Sequence, residues 1–339
     1  MSLLTNRRIR LATRPHGEPV AQNFQHDEVP VASPETGQVL LRTKYLSLDP
    51  YMRGRLSAAK YYAEPLKIGD VIVGGTVSEV VESNVDGFAA GDIVLSYGGW
   101  QEYSVESAEH LRRLDPAAAP VTTALGVLGM PGFTAYAGLL AIGKPQPGET
   151  VAVAAATGPV GSAVGQIAKI YGARAIGIAG GQRKIDYLRE LGFDEVLDHR
   201  EPNLRDRLAA AAPEGIDVYF ENVGGAVWDA VLPQLNNFAR VPVCGRAANL
   251  NKTELSEGPD RTAELMRSII SRSLLLRGFL QAEFVDTMFA SFLADMTDWV
   301  ASGKVKYKED ITAGLERAPE VFVGMLKGTN FGKTIIQVS

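Results

Sequence analysis

The sequence predicts an α/β protein in which a doubly wound parallel sheet follows a β-rich N-terminal region. Three observations carry the prediction. No helical period persists before Pro120, apolar strands alternate with helical stretches from Thr150 to Phe279, and the first of those strands meets its helix at Ala155-Ala156-Thr157-Gly158-Pro159-Val160-Gly161.

In the N-terminal region Gln38 to Tyr45 alternates in part, Asp70 to Glu82 is valine-rich and interrupted by Gly74-Gly75, and Asp92 to Tyr97 follows a turn at Gly91. Short strands between such turns suit a compact barrel. A proline-anchored turn, Ser47-Leu48-Asp49-Pro50-Tyr51-Met52-Arg53, and the pair Tyr61-Tyr62 stand out within it. Surface packing accounts for such residues; equally, phenols such as Tyr51 and Tyr62 beside a cleft can donate to a carbonyl oxygen while their rings line an apolar pocket. The pattern changes near Pro120, and a domain boundary is expected near Leu125.

Gly129 to Leu139 combines a turn with a helix start, and Thr150 to Ala156 reads as a buried parallel strand. Val160 to Tyr171 keeps Val160, Ala163, Val164, Ile167 and Ala168 on one face and stops at Gly172. Strand Arg174 to Gly180 and helix Gln182 to Leu191 complete a βαβ unit. The alternation continues with strand Glu195 to Asp198, helix Leu204 to Ala212, strand Asp217 to Val223, helix Ala226 to Leu235, strand Ala239 to Cys244, helix Arg261 to Ser271 and strand Leu274 to Phe279. Asp286 to Gly303 is an amphipathic helix with a core-facing stripe, and Gly332 to Val338 is an alternating strand able to return to the first domain.

A net charge of −5 over 339 residues argues against a general binder of nucleic acid or anionic membrane. No apolar stretch has the length of a membrane span, and Met1 to Arg10 lacks the apolar core of a secretory signal, so a cytoplasmic location is expected. Cys244 is the single cysteine, which precludes an intrachain disulfide and a multi-cysteine zinc site. His16, His26, His110 and His199 have no metal-ligand spacing, and no metal is expected.

Ligands of a doubly wound sheet bind beyond the carboxyl ends of its strands. At the first strand end, Thr157-Gly158-Pro159-Val160-Gly161 offers a helix N-terminus to an anion; Gly158 admits a phosphate, and Gly161 lets the helix pack on the strand. The second strand end distinguishes between coenzymes. An NAD site usually places an acid there for the ribose hydroxyl, whereas this chain has Gly180-Gly181-Gln182-Arg183-Lys184. Arg183 and Lys184 oppose the helix dipole unless an anion sits beside them. The 2′-phosphate of NADPH is such an anion; the competing reading is a solvated basic face partly neutralised by Asp186.

Four segments together carry a resemblance over essentially the whole chain: Tyr45-Leu46-Ser47-Leu48-Asp49-Pro50-Tyr51-Met52-Arg53, Gly129-Met130-Pro131-Gly132-Phe133-Thr134-Ala135-Tyr136, the Ala155–Gly161 turn with Val164-Gly165-Gln166-Ile167-Ala168-Lys169, and Tyr219-Phe220-Glu221-Asn222-Val223-Gly224-Gly225. The chain resembles the zinc-free medium-chain dehydrogenases/reductases that include prostaglandin reductases, plant alkenal double-bond reductases and bacterial curcumin reductase. The resemblance implies a GroES-like domain over 1–124, a Rossmann domain over 125–303, a tail over 304–339 returning to the first, and NADPH as cofactor. It makes Lys184 the 2′-phosphate lysine, Asn222 and Asn330 cofactor-contacting asparagines, and Phe279 and Leu280 the place where backbone meets the nicotinamide amide. Thr134, Cys244 and Gly245 fall in cofactor-approaching segments.

Two positions depart from the family pattern. His199 stands where the family often has tyrosine, altering that contact to the cofactor phosphate, and Leu250 stands where a tyrosine commonly follows the Cys-Gly segment; Arg246 is a candidate phosphate ligand in compensation. The implied activity is NADPH-dependent reduction of α,β-unsaturated ketones or aldehydes, with Tyr51, Tyr62 or the nicotinamide ribose hydroxyl donating to the enolate oxygen. Quinone reduction and a non-catalytic NADPH-binding redox sensor are the alternatives. The expected partners are a small enone or enal and a second copy of the chain, paired through Leu274 to Phe279 as a homodimer.

Overall fold

A computed structural model describes residues 4–58, 62–253 and 260–339, so Tyr61 and positions 254–259 lie outside the described residues. The chain divides into two compact units, Met1–Gly126 with Leu250–Thr253 and Glu309–Ser339, and Val127–Asn249 with Glu254–Lys308.

The second unit holds six parallel strands: β1 (Thr150–Ala154), β2 (Arg174–Ala179), β3 (Glu195–Asp198), β4 (Ile216–Phe220), β5 (Leu235–Val243) and β6 (Leu275–Gly278). Their order is β3-β2-β1-β4-β5-β6, which reverses direction between β1 and β4 and opens a crevice beyond the strand ends there. All of β1 is buried, as its unbroken apolar run requires. Helix α1 (Pro159–Ile170) crosses from β1 to β2, and α2 (Gln182–Glu190) from β2 to β3. The expected stripe of the later helix, Val285–Ala301, buries Phe292, Met296 and Trp299.

Some boundaries differ from expectation, each for a local reason. Strand β1 ends at Ala154 rather than Ala156, because Ala155 turns into the left-handed region at φ 51°. The helix expected over Ala226 to Leu235 ends at Val231, where a short turn through Pro233 takes over. Strand β5 therefore starts four residues before Ala239. It carries an irregularity at Phe238 (φ 63°), and its register against β4 slips between Ile216↔Leu235 and Val218↔Arg240.

In the first unit the sheet runs Glu309–Ala313, Lys333–Gln337, Gln38–Ser47, Thr76–Ser83, Ile93–Ser96, Arg112–Leu114, with Tyr103–Ser107 paired along Gln38–Arg42. The C-terminal strand does return: Ile335, Ile336 and Gln337 lie antiparallel to Ser47, Leu46 and Tyr45. A separate ribbon, Thr5–Leu11 against Phe24–Pro30, was not expected from the sequence. The turn expected after Pro50 is a short helix, Tyr51–Arg55.

Candidate functional site

In the second unit, the residues expected to hold a dinucleotide gather at the carboxyl ends of β1 to β5. The turn after β1 is tight: a Cβ built at Gly161 would stand 2.6 Å from the Ala155 carbonyl oxygen and 2.7 Å from the Ala156 Cα. Thr157 is buried, Gly158 caps α1, Pro159 and Val160 open it, and no acidic residue lies in its first turn. Bare amides and a positive dipole end face outward, as an anion requires.

Beyond β2 the cations converge. A Cβ at Gly180 would meet His199 Nε2 and Arg200 Nε, each at 2.7 Å, and one at Gly181 would lie 3.2 Å from Arg200 Nη1. Lys184 and Arg200 act electrostatically on His199, while Arg183 is exposed on the first turn of α2. The nearby acid is Asp198, whose two oxygens accept the Gly181 and Arg200 amides at 2.8 Å each. Burial opposes its ionisation, but those two N–H groups hold its pKa below the ordinary value. The carboxylate is thus committed to shaping the turn. Bare glycines beneath the Arg200 guanidinium and the His199 imidazole, with Lys184 on the adjoining helix, fit a phosphate monoester. Arg200 was not singled out by the sequence reading.

Asn222 donates its side-chain amide to the Ala154 carbonyl at 3.1 Å and ties the end of β4 to that of β1. Its neighbour Glu221, also passed over by sequence reasoning, is buried and accepts the Val223 and Gly224 amides at 2.6 and 2.8 Å. Burial raises its pKa while those N–H groups pull it down. This carboxyl builds the left-handed Gly224-Gly225 bend. Gly245 is required beside it, since a Cβ there would lie 2.8 Å from the Asn222 carbonyl oxygen. Cys244 has its thiol pushed up to about 12 by burial and by Glu221, so it remains a neutral thiol. Arg246 is exposed after that bend.

Phe279 turns its ring inward, edge-on to Phe220 with centroids 6.0 Å apart, and Leu280 is exposed. Thr134 gives its hydroxyl to the Met130 carbonyl at 2.8 Å, a bond internal to its helix. Asn330 belongs to the first unit, where its amide donates to the Gly332 carbonyl at 3.0 Å.

The first unit presents phenols. Tyr51 begins the short helix and is half-buried; Tyr62 and Tyr97 are exposed. Burial, then the charge of Asp49, then Tyr97 and Tyr62, raise the Tyr51 pKa well above 10, against a small opposing effect of Arg55. Its proton is therefore retained throughout the neutral range. Asp49 itself is buried and paired with Lys333 Nζ at 2.7 Å, while Lys333 also donates to the Leu48 carbonyl at 2.8 Å. Arg53 anchors the same helix through Asn251 Oδ1 at 3.0 Å and the Gly17 carbonyl at 2.7 Å. Among the described residues no group of three or more His, Cys, Asp or Glu side chains is arranged to hold a metal ion.

Residues 7–114 match the family described as the N-terminal domain of oxidoreductase, and residues 159–294 match the one described as zinc-binding dehydrogenase. The NADPH-dependent curcumin reductase of Escherichia coli K12 is 54% identical over 335 residues, covering 98% of this chain and 97% of that one. Prostaglandin reductase 1 of Rattus norvegicus is 40% identical over 325 residues, 95% of each chain. The crystal structure of CurA in complex with NADPH from Vibrio vulnificus superposes with a TM-score of 0.95 at 50% identity, covering 98% of this chain and 99% of that one.

Proposed function

The chain belongs to the zinc-independent medium-chain dehydrogenases/reductases, and from that premise we propose that it reduces the carbon–carbon double bond of α,β-unsaturated ketones and aldehydes with NADPH. It is an NADP-dependent oxidoreductase acting on C=C bonds. The Gly158–Gly161 turn holds the pyrophosphate, and Gly180, Gly181, Lys184 and His199 receive the 2′-phosphate, with Arg183 at their margin. Asn222 and the Cys244-Gly245-Arg246 bend shape the floor between. When bound, NADPH supplies a hydride to the β-carbon of the acceptor.

The observation that carries the proposal is the placement of Tyr51 on a short helix anchored by Arg53. As hydride arrives, negative charge develops on the carbonyl oxygen, and a donor fixed beforehand at that oxygen lowers the barrier. A phenol is protonated at neutral pH without any tuning, and Tyr51, half-buried at the start of its short helix, is such a donor. Tyr62, half exposed, lines the acceptor. The α-carbon then takes a proton from water as the enolate collapses, so the product gains one hydride and one proton.

Steady-state oxidation of NADPH with an enone, an enal and a quinone tests this directly. A dominant rate with the enone or enal is expected, and a strong preference for quinone overturns the reading. In heavy water the product should carry deuterium on the α-carbon and none on the β-carbon. Tyr51→Phe should lower kcat about 10²-fold with little change in NADPH affinity; an unchanged rate removes Tyr51 from the chemistry.

A further inference from the structure

The segment Gly129 to Leu139 stands out in the sequence, and its helix, Met130–Ala137, runs on into one wide turn, Gly138–Gly143. Such turns are rare and recur at functional sites. Gly138, at the junction, has φ −62° and ψ −42°, ordinary helical angles that any residue adopts. Alanine would favour the helix there, so the backbone gives no reason for a glycine. Space does. A Cβ built on Gly138 would stand 2.3 Å from Phe279 Cζ, and 2.8 and 2.9 Å from Cε2 and Cζ of Phe220.

Both rings sit at strand ends of the second unit. Phe220 is the last residue of β4, and Phe279 follows directly on β6. The Phe279 ring is not free to swing aside: it is buried, edge-on to Phe220, and packed against Phe284 at 65° with centroids 6.1 Å apart. Its own amide donates to the Val243 carbonyl, at the end of β5, at 3.3 Å. Gly138 therefore sets how deeply the chain beyond β6 sits. The strand order puts that chain on the opposite side of the crevice from β2. A dinucleotide with its 2′-phosphate at β2 and its pyrophosphate at β1 extends its other half over β4, β5 and β6.

We propose that Gly138 is a positioning residue for the nicotinamide half of the coenzyme, acting through the Phe279 ring on the Phe279-Leu280 backbone. The proposal rests on the NADPH-dependent reduction assigned above. An ordinary carbon–carbon contact is about 3.5 Å or more, so a methyl group at position 138 drives the ring outward by about 1 Å. A displacement of that size at the reacting end costs up to about 10²-fold in rate. The adenine half, held at β2, is untouched.

The test uses the full-length enzyme and reads the two halves of the coenzyme separately, with NADPH and with adenosine 2′,5′-bisphosphate, which carries the 2′-phosphate but no nicotinamide. Gly138→Ala should lower kcat for an enone by up to about 10²-fold. It should weaken NADPH in fluorescence titrations and leave the bisphosphate at its wild-type affinity by calorimetry. Phe279→Leu makes room for the methyl group, so adding Gly138→Ala to it should change kcat and NADPH affinity by no more than about twofold. Thermal midpoints identify any variant that fails to fold. Should Gly138→Ala be one, Phe279→Leu alone reads the same brace, because it removes bulk and should weaken NADPH but not the bisphosphate. An unchanged kcat in Gly138→Ala, equal losses of NADPH and bisphosphate affinity, a loss that persists in full beside Phe279→Leu, or NADPH affinity unchanged in both single variants overturns the role of Gly138. A wild type that binds both ligands but reduces no enone is a different failure: it overturns the reduction, while the two affinities still decide whether Gly138 positions the nicotinamide half.

Discussion

At the scale of single residues, the role proposed for His199 predicts a pH-sensitive coenzyme cradle. Burial lowers its pKa below 6.5; Asp198 opposes that, and Arg200 and Lys184 add to it. The free protein therefore holds a neutral imidazole at pH 7. A phosphate dianion beside Nε2 reverses the balance, so binding takes up a proton. NADPH affinity should rise as pH falls from 8 towards 6, by up to about tenfold for each unit of induced pKa shift. NADH, without the 2′-phosphate, should show no such slope. Below about pH 6 the phosphate itself protonates and the gain reverses. Fluorescence titrations with both coenzymes across that range check the expectation. His199→Phe should flatten the NADPH curve, and a wild-type curve already flat would remove His199 from the cradle. Lys184 stands out in the sequence as a candidate because two cations in the first turn of a helix violate the dipole preference locally. Arg200 does not, because its role exists only once β3 lies beside β2.

Elements were legible where burial is two-sided. Strands β1, β2 and β4 announce themselves as largely apolar, buried runs, and the helix α1 as small residues at helical spacing. The ribbon strand Thr5–Leu11 was hidden because arginines dominate it and one of its inward positions is Asn6, whose amide donates to the Tyr103 carbonyl at 3.0 Å. Helix α1 is packed so closely that two glycines are structural, Gly161 against the Ala155-Ala156 turn and Gly165 against Phe193. Gly165 is the sharper case, since a Cβ there would stand 2.0 Å from Cζ of the buried Phe193 ring. Gly165→Ala gains up to about 1 kcal/mol of helix propensity, yet overpacking of this kind costs about 1–3 kcal/mol. The net effect should be a thermal midpoint lower by a few degrees, about 2–4 °C per kcal/mol lost. Scanning calorimetry of the variant reads it directly; a midpoint at or above wild type would mean that the Phe193 ring yields without strain.

At the scale of the whole molecule, long-range partnerships were the least legible part, for a plain reason. Lys333 reaches Asp49 across 284 positions of chain, and no local pattern marks either residue as half of a buried ion pair. The sheet of the second unit leaves a different question open at its far edge. Strand β6 pairs with β5 on one side, and among the described residues nothing pairs with its other side. Leu275 on that edge is 49% exposed, and Met266 and Ile270, one helical turn apart on Thr262–Arg272, are 47% and 80% exposed. An edge strand flanked by apolar side chains, without the prolines or inward charges that usually blunt one, favours pairing with another chain. The expected partner is a second copy, related by a two-fold axis that sets β6 antiparallel to its own mate and makes the contact self-complementary and closed. Sedimentation at micromolar concentration should then return twice the chain mass. Leu275→Lys combined with Ile270→Lys should shift the species to a monomer, because facing copies would bring four like charges together across a buried edge. A wild type that sediments as a monomer at the same concentration would show that the exposed edge is tolerated rather than paired.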